Sequence, residues 1–262
     1  MLRAWLDLSP YGIFTSLIVL YFGFALLLGA IAFRSPLARP VQSLTGVVAP
    51  FFSSTAVLFA LLTGFLANDI SNRNRMAYNA VQTEAGELRN IYTLSVASVS
   101  DMRTIRTALK TYVNSVVDRE WPAMASGHLS TVTNSAYDDL LREISNPSIA
   151  KASGPAVHAA LLNTAVRVGT ARNDRLALSS DTTNDLKWAV VLILGILTQT
   201  AIGLVHLERP RAFMASLLLF SIAVITALGF IALQEYPFYG AFRISPAPIE
   251  ALQNLSEAVP PR

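Results

Sequence analysis

The 262-residue chain contains no cysteine, which excludes disulfide bonds, thiol catalysis and thiolate metal sites. It also lacks a phosphate-binding glycine loop, a dinucleotide-binding glycine motif and a serine-nucleophile motif. Its three histidines have no spacing suited to metal ligation with one another or with a pair of carboxylates. We therefore predict a protein that is not an enzyme and that has no catalytic residues, no metal site and no cofactor. The histidines are His128, His158 and His206.

Charged residues are scarce, at 14% of the chain, whereas hydrophobic residues make up 53%. The mean hydropathy is +0.46, which is typical of integral membrane proteins. The formal net charge of +3 is not gathered into a basic stripe, so we expect no nucleic-acid partner. The composition instead predicts the lipid bilayer as the main surroundings of the chain.

Four apolar runs are long enough to cross the bilayer, which needs about 20 residues for about 30 Å of hydrocarbon. They cover residues 11–33, 45–67, 186–205 and 212–233. Charged residues lie at or just beyond their ends, where aromatic residues also collect, as expected for interfacial anchoring. The first run is too long for an ordinary secretory signal, so we interpret it as an uncleaved span. The flanking charges are Arg34, Asp69, Lys187, Glu208 and Glu235.

The spacing of these runs predicts an all-α integral membrane protein, with four transmembrane helices in two hairpins. The expected parts are a hairpin at 1–67, a helical extramembrane subdomain at 68–185, a second hairpin at 186–235 and a short tail at 236–262. In the polar segment Val81, Ala85, Leu88 and Tyr92 follow helical spacing, which indicates amphipathic helices. One of these helices should end at Trp121, because proline disfavours helical geometry in the residue before it.

The second span continues into the polar segment without a helix breaker. Residues 61–92 contain no proline, and no glycine-rich turn marks the exit from the membrane. Such continuity suits either a pore-lining helix or a stalk that carries a signal. The exit residues Asn68, Asp69 and Arg73 are candidates for a pore vestibule. A solvated helix turn, with the arginine meeting lipid phosphates, is the alternative.

Two groups of side chains in the second span could serve a pore. Its phenylalanines could form a hydrophobic neck that gates by dewetting, or could simply face lipid or pack. Its small residues allow helices to approach closely in lipid. A buried amide in the third span, that of Gln199, is expected to bond a neighbouring helix. The neck candidates are Phe51, Phe52, Phe59 and Phe65, and the packing candidates are Ser53, Ala56, Ala60, Gly64 and Gln199.

Five stretches resemble the bacterial bestrophin-like domain family, a set of membrane proteins of unknown function. They read EAGELRNIY at 84–92, DREWPAM at 118–124, ARNDRL at 171–176, LERPRAFM at 207–214 and YPFYGAFRISP at 236–246. The resemblance implies comparison with bestrophins, which are pentameric anion channels with four spans per subunit. In bestrophins a cytoplasmic helical domain follows the second span, whose aromatic residues form a neck. This chain departs from them in its shorter polar segment and its lack of an acidic calcium-clasp cluster.

Together these features predict a multi-pass protein of the bacterial cytoplasmic membrane. The predicted function is a homo-oligomeric passive ion channel, bestrophin-like and conducting small inorganic anions. The arginines near the span ends support either orientation, depending on which segments are counted, and the resemblance implies a cytoplasmic subdomain. The spans lack the ionisable residues that ion-coupled transporters usually keep there, which argues against active transport. The alternative is a non-conducting scaffold or sensor whose second span signals to the helical subdomain.

Overall fold

The structure, a computed structural model, describes residues 2–44, 46, 49–98, 100–125 and 131–256. Over these residues the chain is helical and contains no β-strand, which confirms the predicted fold class. The helices are α1 (Leu2–Leu6), α2 (Pro10–Phe33), α3 (Ala38–Gln42), α4 (Ala49–Ala97), α5 (Arg103–Ser115), a π-turn (Val116–Glu120), α6 (Trp121–Ala125), α7 (Thr131–Ile144), α8 (Pro147–Ser153), α9 (Pro155–Ser180), α10 (Asp185–Val205), α11 (Pro210–Ala232) and α12 (Ala247–Glu250).

The chain forms two compact units, which we call the membrane unit and the helical subdomain. The membrane unit comprises Met1–Asn72 and Thr182–Glu235, and the helical subdomain comprises Arg73–Asp181 and Tyr236–Arg262. The polar segment is thus inserted between the second and third spans, and the C-terminal tail belongs to the same unit as that segment. The finer domain boundaries that the sequence suggested stay predictions.

The membrane unit contains the four predicted spans, in helices α2, α4, α10 and α11. Helices α2, α10 and α11 pack against one another. Glycine makes one of these approaches possible, because a Cβ at Gly195 of α10 would collide with the phenol of Tyr21 in α2. Asn184 begins α10, and its side-chain oxygen accepts a hydrogen bond from the Leu186 N–H at 2.8 Å. This cap satisfies one of the free N–H groups at the helix start.

Helix α4 continues unbroken over 49 residues, as the absence of a breaker at the membrane exit predicted. At 1.5 Å per residue it is roughly 73 Å long, more than twice the thickness of the hydrocarbon layer. Its N-terminal half belongs to the membrane unit and its C-terminal half to the helical subdomain.

The helical subdomain has its own hydrophobic core, formed by the C-terminal half of α4 with α5, α7 and α9. Val81, Leu88 and Leu109 are among its buried members. The C-terminal tail returns to this core and places Ile249 and Leu252 in it. Burial of these two side chains explains why the tail belongs to the subdomain, since apolar area removed from water stabilises by about 25 cal/mol per Å².

The predicted helix end at Trp121 is wrong. Trp121 has helical dihedral angles of −61° and −49°, and its N–H donates to the carbonyl of Val116, five residues back. This wider π-turn precedes Pro122, which follows as part of α6. In a regular α-helix the proline would lose one hydrogen bond and its ring would clash with the carbonyl four residues back. The π-turn changes that register, so the helix passes the proline without ending.

Candidate functional site: the fourth helix and a buried ion-pair cluster

The membrane half of α4 is the least buried of the four spans. Only 11% of its most apolar stretch is buried, compared with 44% for α10. Most of the side chains in this stretch are therefore left unburied by the protein's own bundle.

The three predicted neck phenylalanines whose side chains the structure describes do not share one face of α4. Phe52 packs against the core of the membrane unit, and Phe59 lies 6.0 Å from Phe220, measured between ring centroids. Phe65 is 56% exposed. The side chain of Phe51 lies outside the part of the chain that the structure describes. Phe52 and Phe59 are thus packing residues within one chain, whereas Phe65 is available on the surface.

An exposed apolar stripe runs along α4 at a spacing of four residues. It consists of Val57, Leu61 and Phe65, which are 64%, 51% and 56% exposed. Residues four apart lie on one helix face, so these side chains form a continuous row. Sequence reasoning missed Val57 and Leu61 because it considered only aromatic residues. The spacing was visible in the sequence, but the choice of face depends on which side packs against α10 and α11.

The small residues predicted for helix packing lie largely on an open side of α4. Ser53, Ala60 and Gly64 are exposed, and Ala56 is half-buried. A Cβ built on Gly64 would meet no atom within 4 Å. Within one chain this part of the helix therefore has room for a close neighbour.

The three vestibule candidates lie in different surroundings. Asn68 is exposed. Asp69 accepts a hydrogen bond from the Lys187 ammonium at 2.5 Å, so its charge is compensated within the membrane unit. Arg73 is buried, with 6% of its surface exposed, and it belongs to the helical subdomain. Of the three vestibule candidates, Asn68 is therefore the one that is both exposed and uncharged.

Gln199 forms the centre of a buried polar group in the membrane unit. Its amide nitrogen donates to the backbone oxygen of Tyr21 at 3.0 Å and to the Ser221 hydroxyl at 2.9 Å. These bonds join α10 to α2 and α11. An amide in hydrocarbon is costly without such partners, so Gln199 acts here as a tie between helices.

Glu235, just after α11, is fully buried although the sequence suggested a flanking charge. Its carboxylate accepts hydrogen bonds from the Thr183 N–H at 2.7 Å and from the Trp188 indole N–H at 3.2 Å. Trp188 in turn forms an edge contact with Trp5 at 5.4 Å. The carboxylate thereby connects the end of α11 with the start of α10.

The helical subdomain contains a buried cluster of four charged side chains, which we call the ion-pair cluster: Glu84, Glu120, Arg172 and Arg175. Arg175 donates to Glu84 at 2.7 Å and to Glu120 at 2.7 Å. Arg172 forms a further ion pair with Glu120. All four side chains are at least 94% buried. Their formal charges cancel, which is the condition under which buried charges are tolerated.

Neutral neighbours complete the hydrogen bonding of the cluster. The Tyr112 hydroxyl donates to Glu84 at 2.7 Å, and Arg172 donates to the Asn134 side-chain oxygen at 2.7 Å. The guanidinium of Arg175 also lies over the Trp121 ring, 5.2 Å from its centroid. With these neighbours the cluster connects α4, α5, the π-turn, α7 and α9.

Burial and charge shift the pKa values of Arg175, a member of the cluster, and of its neighbour Tyr112. Burial, followed by the negative charge of Glu84, raises the pKa of Tyr112 well above its ordinary value of 10.0. Burial alone would lower the pKa of the Arg175 guanidinium, but attraction to Glu84 and Glu120 more than offsets this and raises it. Tyr112 is thus neutral and Arg175 charged at neutral pH.

All four members of the cluster come from the motifs that carry the family resemblance. Glu84 lies in EAGELRNIY, Glu120 in DREWPAM, and Arg172 and Arg175 in ARNDRL. The sequence therefore contained the signal, as unlike charges in separate motifs. It did not show that they meet, because the partners are 52 to 91 residues apart.

No three His, Cys, Asp or Glu side chains lie close enough to share a metal ion in the described ranges. His128 is outside those ranges. The absence of a metal site and of catalytic residues stays a prediction.

Comparison with known proteins identifies the family. The model of the Bestrophin-like domain matches residues 19–249. Crystal structures of a bacterial bestrophin homologue from Klebsiella pneumoniae, each carrying a single substitution, share the fold. One is 16% identical, with a TM-score of 0.69 over 90% of this chain and 96% of that chain. Another is 15% identical, with a TM-score of 0.67 over 94% of this chain and 96% of that chain.

A crystal structure described as that of a membrane protein is 14% identical and has a TM-score of 0.69, over 91% of this chain and 96% of that chain. No curated protein sequence matches the chain. At these identities the solved structures show the fold alone, whereas the family model covers most of the sequence. The chain is a membrane protein that belongs to the Bestrophin-like domain family.

Proposed function

We propose that the protein is a homo-oligomeric passive ion channel of the bacterial cytoplasmic membrane, with α4 nearest the central axis. The low burial of α4 carries this proposal. Three spans pack together within the chain, whereas only 11% of the most apolar stretch of α4 is buried. A helix placed on the rim of its own bundle suits a ring in which each copy contributes one lining helix. Membership of the Bestrophin-like domain family supports the same architecture.

The exposed apolar stripe is the proposed constriction. Val57, Leu61 and Phe65 would form three successive apolar rings around an axis, and such rings gate by dewetting. Phe65 is retained from the predicted neck, whereas Phe52 and Phe59 pack inside one chain. The open small-residue side of α4, at Ser53 and Gly64, leaves space for an adjacent copy.

Small inorganic anions are the proposed permeant ions. Asn68, one turn beyond Phe65, is exposed and carries an amide N–H₂ that can donate to an anion. The nearby carboxylate of Asp69 is paired with Lys187, which reduces its repulsion of anions. The resemblance to bestrophins supports the same ion class. We place the subdomain in the cytoplasm, and a reporter fused to the C-terminus that is active only in the periplasm would contradict that placement.

Ion flux from liposomes that contain the purified protein tests the proposal. We expect chloride flux above that of empty liposomes, and we expect Leu61→Thr to raise it several-fold, because a hydroxyl wets an apolar ring. Leu219→Thr is the matched control, since Leu219 is 70% exposed on α11 and should face lipid. Phe59→Ala removes a packing contact and should lower thermal stability more than it changes flux.

The result also separates the channel from the alternative scaffold or sensor. Flux that Leu61→Thr and Leu219→Thr change equally would contradict the assignment of the constriction. No flux of chloride, nitrate, sodium or potassium at any pH between 5 and 9 would contradict the channel and favour the scaffold or sensor.

A further inference from the structure

Helices α4 and α9 of the helical subdomain enclose a surface groove of about 620 Å³. The two helices run antiparallel, because Glu84 pairs with Arg175 and Glu87 pairs with Arg167. The small buried side chains Ala80 and Ala171 lie at the groove. A groove with alanines between two helices is deep enough to receive side chains from another helix.

Three of the side chains that line this groove are charged, and two of the three are acidic. Glu87 and Asp174 line it together with one basic residue, Arg167. Glu87 keeps 14% of its side chain exposed and accepts hydrogen bonds from the exposed residues Arg167, at 3.5 Å, and Asn90, at 3.2 Å. Asp174 is exposed at the groove edge. Counted formally, two carboxylates and one guanidinium leave the groove with one net negative charge.

The other flank of α4 is basic. At about 100° per residue, Arg89 lies roughly 160° around the helix from Glu87, whereas Arg75 and Arg89 lie within about 40° of each other. Both arginines are exposed. Helix α4 of the subdomain thus presents arginines on one flank and an acidic groove on the other.

We propose that the basic flank of α4 in one copy packs against the acidic groove between α4 and α9 of the next copy. This inference rests on the proposed homo-oligomer and assigns its contact surface in the subdomain. Two complementary surfaces on opposite flanks form a heterologous interface, which gives a closed ring when the rotation between copies divides a full turn. When copies are related by rotation about an axis parallel to α4, equivalent residues lie at the same height along that axis. Glu87 and Arg89 of one chain differ in height by only about 3 Å. Arg89 of one copy therefore lies at the height of the neighbour's Glu87 carboxylate, the target we assign to it.

Charge reversal tests this contact. Glu87→Arg and Arg89→Glu each place like charges opposite each other at every interface, so each should weaken subunit association by roughly tenfold or more at low salt. The double variant, Glu87→Arg with Arg89→Glu, restores opposite charges and should restore the assembly. Arg142→Glu is the control, because Arg142 is an exposed arginine of α7 outside both surfaces. Mass photometry of the detergent-purified protein measures subunit number in each case.

Cross-linking provides a second measurement, which the cysteine-free chain makes simple. A variant with both Glu87→Cys and Arg89→Cys, treated with a short bismaleimide, should give a ladder of covalent species that ends at the full ring. Each single cysteine should give no ladder, because a heterologous contact does not bring a residue next to its own copy. Covalent dimers from either single variant would overturn the proposal.

Other outcomes separate this inference from the proposed channel. An oligomer that keeps its subunit number in both charge reversals and forms no ladder would overturn the contact surface but leave the channel standing. A monomer under all conditions, with no ion flux, would overturn both.

Discussion

The two units of the protein bury polar groups in opposite ways. In the membrane unit the buried polar side chains other than Glu235 are neutral, and Gln199 with Ser221 bonds directly to helix backbone or hydroxyl groups. In the helical subdomain four formal charges are buried together. A buried neutral group needs few hydrogen-bond partners, whereas a buried charge is strongly destabilising when one of its partners is removed. The difference predicts that single substitutions are far more damaging in the subdomain than in the membrane.

Removing Arg175 should have the largest effect. Arg175→Leu leaves the carboxylates of Glu84 and Glu120 buried without their shared guanidinium, so we expect a loss of about 3 to 5 kcal/mol in the free energy of unfolding. Thermal unfolding of the detergent-purified protein checks this. Arg142→Leu is the control, because that exposed pair with Asp139 should contribute no more than about 1 kcal/mol. Equal effects of the two variants would show that the cluster does not stabilise the subdomain as a unit.

Tyr112→Phe should have a smaller effect that depends on pH. It removes a hydrogen bond to the Glu84 carboxylate, which we expect to lower stability by about 1.5 to 3 kcal/mol at neutral pH. Because the folded-state pKa of Tyr112 is raised above 10.0, its contribution is complete below pH 10.0 and is lost as the pH rises beyond it. Unfolding measured from pH 8 to pH 11 should therefore show a weaker alkaline decline in Tyr112→Phe. An identical decline in both proteins would contradict the raised pKa.

Gln199→Leu tests the contribution of the buried neutral hydrogen bonds in the membrane unit. The hydrogen bonds that join helices within membranes contribute about 0.6 kcal/mol on average and up to about 1.7 kcal/mol. We expect a loss in this range, since the backbone oxygen of Tyr21 and the hydroxyl of Ser221 lose one donor. Thermal unfolding in the same detergent allows direct comparison with Arg175→Leu. A loss as large as that of Arg175→Leu would remove the contrast between the units.

Lys187→Gln should have the smallest effect. Lys187 and Asp69 form an ion pair whose side chains are 56% and 44% exposed, so its contribution is screened by water and salt. Exposed pairs typically contribute about 0.2 to 1 kcal/mol. Raising the salt concentration should reduce the difference between Lys187→Gln and the parent protein. A difference that salt leaves unchanged would indicate a role beyond charge pairing.

The spans were predictable because composition alone decides them. Apolar runs of about 20 residues have few stable alternatives to a membrane helix, and α4 continued past Asp69 because no residue there breaks a helix. Trp121 was mispredicted because a local rule about proline takes no account of a π-turn, which changes the hydrogen-bond register before Pro122.

The site was less predictable because it depends on which surfaces meet. Phe59 and Phe65 look equivalent in the sequence, yet one contacts Phe220 and the other is exposed. Similarly, Glu120 and Arg172 are ordinary helix residues until α9 places them in contact. Periodicity gives the faces of a helix, but the partner of each face is a property of the whole fold.

The ion-pair cluster also determines when, during synthesis, the helical subdomain can complete its folding. Glu84 and Arg175 are 91 residues apart, so the ribosome delivers the carboxylate well before the guanidinium that neutralises it. At a synthesis rate of about 5 to 20 residues per second, the interval is roughly 5 to 18 s. During this interval the nascent subdomain holds Glu84 and Glu120 without Arg172 and Arg175, and burial of those carboxylates is unfavourable. The core around them closes only once α9 has emerged, which makes the completion of this unit a late event in the biogenesis of the protein.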